Sequence, residues 1–210
     1  MKSEPNPPTR PAGPVPPLHV TVWDEALPGA PRAVLVHGAP GCGTDSFAAQ
    51  QPLADLFRLE VVGRRSAGGG PGPGRDDYAA DAEAVGRLLH PGAHLVGHAT
   101  GGAVAMLAAA EQPDAVRSLT LIEPAALDAA RPSLGQLALA EWPKVVVNGA
   151  HGGPCPGRRA DPDTAPSAVC GESVAETIGA RHVRVDGTGH YPHRERPEAV
   201  NAVLRRLWQS

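Results

Sequence analysis

The strongest constraint on how this chain can fold lies in residues 93–113. Residues 93–96, Ala-His-Leu-Val, form a mostly apolar run of the kind buried on both faces of a sheet. They pass through Gly97-His98-Ala99-Thr100-Gly101-Gly102 into a helical segment that reaches Glu111 and is closed by Pro113. A buried strand that becomes a helix within so few residues must turn sharply. The glycines allow that turn, which pushes the central side chain, here the methyl of Ala99, out over the end of the sheet.

The rest of the chain repeats the same alternation. Strands are expected at 19–23 (with edge character), 33–36, 57–62, 118–122, 144–147 and 181–185, and helices at 47–56, from a cap near Asp76 or Asp77 through Leu89, and at 197–208. Alternating strands and helices predict an α/β fold with a mostly parallel sheet, helices on both faces, and the site at the carboxyl ends of the strands. Residues 18–210 are expected to form one domain after a Pro-rich tail at 1–17, because a chain of 210 residues buries roughly 70% of its unfolded surface in a single core. The segment between Pro124 and Trp142 is too short for a substantial lid, and the Gly/Pro-rich stretch 149–168 is expected to be a loop.

Composition removes several classes of function. The formal net charge of −3 is spread without a basic block, which argues against a nucleic-acid groove or an anionic membrane surface and favours a small-molecule substrate. The amino terminus lacks the apolar stretch of a secretory signal and no apolar run could span a bilayer, so a cytoplasmic location is expected. Cys42, Cys155 and Cys170 show no metal-type spacing and read as reduced thiols, with a Cys155–Cys170 bridge as the alternative. His37, His98, His190 and His193 likewise have no zinc-ligand spacing, and 68–72 lacks the lysine and hydroxyl of a phosphate loop. No metal or cofactor is predicted. Arg64, Arg65 and Arg75 flank that glycine loop and read as solvated charges, or as contacts for an anionic substrate.

Three motifs in order, Val36-His37-Gly38, Gly97-His98-Ala99-Thr100-Gly101-Gly102 and Gly187-Thr188-Gly189-His190-Tyr191-Pro192, resemble the α/β-hydrolase superfamily from about Val20 onward. The second resembles its nucleophile elbow, Gly-x-Ser-x-Gly, with alanine in the serine's place. The resemblance implies an α/β-hydrolase fold with little or no cap, oxyanion donors on the backbone N–H groups of Ala39 and Thr100, and His190 as the base. It also implies an acid at Glu123, after the strand that follows the elbow helix, with Asp161 in reserve because no carboxylate follows Val147 closely. His37, Gly38, His98, Trp142 and Tyr191 are the expected substrate-lining residues. Thr100 is a poor substitute nucleophile, since the turn directs only the central side chain into the site.

Three functions follow from these residues. The first is a serine hydrolase of ester, lactone or thioester type, inactivated by a Ser-to-Ala replacement at Ala99. The second is a non-hydrolytic enzyme, such as a cyclase, lyase or isomerase, with His190 as general base. The third is a small-molecule-binding protein without turnover. An open site of this kind could be closed by a second subunit, so a homodimer is also an expectation.

Overall fold

A computed structural model describes residues 18–38, 41–64, 77–150 and 167–210. Among them, seven strands form one sheet: β1 (His19–Trp23), β2 (Arg32–Val36), β3 (Arg58–Gly63), β4 (Ala93–His98), β5 (Val116–Ile122), β6 (Lys144–Gly149) and β7 (Arg181–Val185). They lie in the order β1-β3-β2-β4-β5-β6-β7, with only β1 antiparallel to its neighbour. The order reverses direction between β2 and β4, and a crevice at the carboxyl ends of such strands is where open α/β sheets bind ligands.

Period-two burial divides the core between the sheet's faces. Val34, Val36, Leu95, Leu119, Leu121 and Val146 pack on one side; Ala33, Leu35, Val96, Ile122, Val145 and Val147 pack on the other. The first face is covered by α2 (Tyr78–Leu89), α3 (Thr100–Glu111) and α6 (Ser167–Ile178), the second by Phe47, Leu53 and α8 (Pro197–Trp208). Helix α8 buries Val200, Val203, Leu204 and Trp208, the i, i+3, i+4, i+8 stripe that seats a surface helix on a sheet. Helix α3 is apolar on nearly every side because it lies between the sheet, α2 and a further helix, α5 (Leu134–Leu139).

Two expectations change. The helix expected at 47–56 is a short α1 (Gly43–Phe47) followed by a 3₁₀ segment, Ala48–Asp55, because Pro52 supplies no N–H and disfavours α geometry in the residue before it. Helix α6 begins inside the stretch read as loop. Asp77 caps α2, its Oδ1 accepting from the Ala80 N–H at 2.9 Å. Between β5 and β6 stand α4 (Leu127–Ala130), a 3₁₀ turn at Arg131–Ser133 and α5, which pack on α3. No helix among the described residues is long and apolar enough to cross a membrane.

Candidate active site

Strand β4 ends at His98, and the next residue, Ala99, holds φ 49° and ψ −121°, a region that an L side chain rarely adopts. Hydrogen bonds to its neighbours impose this. The Ala99 N–H donates to the Ile122 carbonyl at 3.0 Å, while its own carbonyl accepts from Gly102 at 2.9 Å and Ala125 at 3.0 Å. The glycines are required by close approach: a Cβ on Gly97 would stand 2.6 Å from the Gly101 carbonyl oxygen, and one on Gly101 2.3 Å from that of Val36. Gly38 meets the same turn from β2, leaving room for the Ala99 methyl, which a Cβ at Gly38 would approach to 2.7 Å.

One strand over, Glu123 follows β5 with φ 46° and is fully buried. Its Oε1 accepts from the Gly149 N–H at 2.6 Å, and its Oε2 lies 3.5 Å from His190 Nδ1. The sequence therefore brings together two residues 67 positions apart by placing one after β5 and the other in the loop after β7. That N···O separation is longer than an optimal charge-assisted hydrogen bond, as is common for catalytic contacts before substrate binds. Gly149 must be glycine because the loop carrying His190 crosses it; a Cβ there would meet the Gly189 carbonyl oxygen at 2.1 Å.

Two further side chains hold the His190 loop. His98 is buried and its Nε2 lies 3.0 Å from the His190 carbonyl oxygen; only a protonated Nε2 can donate there, which defines the tautomer. Burial, and then the neighbouring His193, hold the His98 pKa well below its ordinary value, so the ring stays neutral. Glu195, in the short helix α7 (Pro192–Glu195), accepts from the Gly189 N–H at 2.8 Å and the Tyr191 N–H at 3.2 Å. His193 is buried against His98 and Phe47, with ring centroids 4.4 and 5.4 Å away. Its ring nitrogens make no hydrogen bond of good geometry, only a weak approach to the Ser46 backbone, and burial lowers its pKa to about 3.

Beside the elbow opens a cleft of about 250 Å³ whose walls include Gly38, Cys42, Ser46, His98, Tyr191 and Arg194. Gly38, His98 and Tyr191 thus line this cleft, although His98 presents its ring from beneath the surface. Two other expected lining residues do not. His37 is fully buried, its Nδ1 directed to the Gly38 carbonyl oxygen at 2.6 Å and its Nε2 accepting from the Arg64 N–H at 3.2 Å, which leaves no ring nitrogen for a ligand. Trp142 precedes β6 and donates to the Pro113 carbonyl at 3.1 Å, at the amino ends of the strands and therefore opposite the site. The expected strand at 144–147 already put Trp142 at the amino end of a parallel strand, away from the carboxyl-end site, so the sequence itself held the signal against a lining role.

Arg64 is also corrected. It is neither solvated nor open to substrate: its side chain is fully buried, with Nε 3.0 Å from Asp81 Oδ2 and Nη1 donating to Thr100 Oγ1 at 2.9 Å. Asp81 and Glu195 are polar residues near the site that sequence reasoning missed. Glu195 had a readable signal, a carboxylate in the first turn of a helix opening at Pro192. Ala39, Asp161, Arg65, Arg75 and Cys155 lie outside the described residues, as does the side chain of Cys170. Cys42 is exposed and unbridged. Among the described residues, no group of three or more His, Cys, Asp or Glu side chains could hold a metal ion.

With this geometry in view, the family model for the alpha/beta hydrolase fold matches residues 31–151. An esterase from Thermogutta terrifontis superposes with a TM-score of 0.73 at 21% identity, covering 91% of this chain and 93% of that one. An enol-lactonase from Burkholderia xenovorans gives 0.72 at 17% identity, covering 92% and 96%. A CIB-like hydrolase from Thermoplasma acidophilum gives 0.69 at 16%, covering 92% and 99%. At such identities the likeness is one of fold.

Proposed function

Because the chain belongs to the alpha/beta hydrolase family, we propose that its site is a serine-hydrolase-type centre for esters, lactones or thioesters of small molecules, in which Ala99 occupies the nucleophile's position. In this form it binds substrate without forming an acyl-enzyme. The observation that carries the reading is the backbone of Ala99, held at φ 49° and ψ −121° above the site. Such a conformation costs about 1–3 kcal/mol and persists only when its surroundings impose it. A bare methyl draws no benefit from it, whereas a hydroxyl on that Cβ would be presented to a bound carbonyl.

The residues around it support the same reading. His190 has its Nδ1 turned toward Glu123; its Nε2 would take the proton of an attacking hydroxyl, and the buried carboxylate would stabilise the imidazolium that forms. The attacking oxygen would bond to the carbonyl carbon, and the electron pair displaced onto the carbonyl oxygen would be met by the Thr100 N–H. That group lies in the first turn of α3, where N–H groups take no partner within the helix. Collapse would expel the alkoxide or thiolate, protonated by the imidazolium, and water activated by the same base would release the acid. The esterase and lactonase among the structural neighbours support an ester-type bond as the target.

The test is labelling by a fluorophosphonate, read by intact mass, on the chain and on its Ala99→Ser variant. Labelling of the variant alone, abolished by adding His190→Ala, is the expected result. An unlabelled Ala99→Ser variant sinks the reading. It would favour a second one, in which the Glu123-backed His190 acts as general base in a non-hydrolytic step.

A further inference from the structure

We propose that Arg64 is a positioning residue for the oxyanion-stabilising side of the site, a role that rests on the acyl-transfer reading above. Arg64 follows β3, yet it reaches the two segments that flank Ala99. Through its side chain, Nη1 donates to Thr100 Oγ1 at 2.9 Å, gripping the residue whose backbone N–H faces the developing charge. Through its backbone, its N–H donates to His37 Nε2 at 3.2 Å, and that ring's Nδ1–H donates to the Gly38 carbonyl at 2.6 Å. This chain of hydrogen bonds ties the end of β2, at His37 and Gly38, to the residue that follows β3.

The surroundings keep this arrangement rigid. Asp81 from α2 balances the guanidinium at 3.0 Å, and Tyr78 lies under it with its ring centroid 5.6 Å away. Both members of the ion pair are buried, so neither reorients in solvent. The His37 chain requires a neutral ring, since Nε2 must accept, and burial lowers that ring's pKa. One side chain thus clamps α3 to α2 while its main chain clamps the β2 turn to β3. Donors preorganised in this way stabilise charge in the transition state without rearranging during the reaction. A residue that served only to fasten α2 to the sheet would need the Asp81 contact alone.

The experiment uses the full chain carrying Ala99→Ser, with Thr100→Val, Thr100→Ser or Arg64→Lys added. Each form is measured for fluorophosphonate labelling rate, for kcat and KM on a neutral short-chain aryl ester, and for melting temperature. Valine keeps the backbone N–H but removes the acceptor for Arg64, and serine keeps both. Expected are a fall of about tenfold or more in kcat and labelling rate for Thr100→Val and Arg64→Lys, a KM within about threefold of the parent, and recovery to within about twofold in Thr100→Ser. If Arg64→Lys fails to fold, Thr100→Val decides the matter. Rates equal to the parent overturn the proposal, as does a fall that tracks melting temperature and is not recovered by Thr100→Ser. If the Ala99→Ser parent itself does not label, the hydrolase reading falls and takes this proposal with it.

Discussion

Ala99 and Glu123, at the ends of neighbouring strands, hold φ 49° and 46°, and Ala126 follows with 56°. All the non-glycine residues with positive φ among those described therefore lie at the elbow or within three residues of the candidate acid. Such strain collects where a site is held in shape by its surroundings. In the Ala99→Ser background, Glu123→Gln keeps an acceptor for the Gly149 N–H but removes the charge facing His190. The expected outcome is a loss of about 100-fold or more in kcat with an unchanged melting temperature, measured by steady-state kinetics and calorimetry. The glycines beside the elbow make a different prediction, about stability. Gly101→Ala would place a methyl 2.3 Å from the Val36 carbonyl oxygen and 2.4 Å from that of His37. Both neighbours are backbone in a central strand and its turn, so the variant should lose about 3 kcal/mol, read as a lowered urea midpoint.

At the scale of elements, the site depends on how the loop after β7 is tied down. Glu195 in α7 holds the Gly189 and Tyr191 N–H groups, and His98 at the end of β4 holds the His190 carbonyl between them. His190 is thereby registered against the elbow's own strand. Glu195→Ala frees two N–H groups on an exposed turn, where water replaces the lost acceptor. The expected cost is about 1 kcal/mol in stability, with a fall of about fivefold or more in the fluorophosphonate labelling of Ala99→Ser, because the loss is one of positioning. Equal labelling rates with and without Glu195 would show that the loop holds its place through His98 alone. Gly149 makes the same point from β6, since the loop passes so close that no side chain fits there. The crossing bars a side chain at 149 itself.

For the whole molecule, buried neutral histidines set how stability depends on pH. Burial lowers His94 to about 4 and His193 to about 3, and it holds His98 well below its ordinary value. Each folded pKa lies below the unfolded one near 6.5, so the unfolded chain binds more protons between the two values. Stability is therefore full above about pH 6.5 and falls as pH drops toward 4, by about 1.4 kcal/mol per unit for each histidine involved. Urea midpoints from pH 7 to 4.5 should decline accordingly, and His193→Phe, which sacrifices no well-formed hydrogen bond, should shallow the slope by one proton's share. A slope unchanged in that variant would mean that His193 takes up its proton in the folded state as readily as in the unfolded one. Much of this architecture was legible in the linear chain. A strand buried on both faces must be a short apolar run, a tight strand-to-helix turn must carry glycine, and a helix seated on a sheet must show its stripe, so β2, β4, the elbow and α8 are written in local pattern. The Pro52 kink, the helix at Ser167–Ile178 and the inward turn of Arg64 were not. Each depends on what the rest of the chain brings alongside. The sequence by itself determined which residues had the chemistry and which elements bore them. Only the tertiary structure decided that Glu123 and His190 meet at 3.5 Å and that Arg64 holds Thr100, because strand order and crossing loops join positions that local periodicity treats as independent.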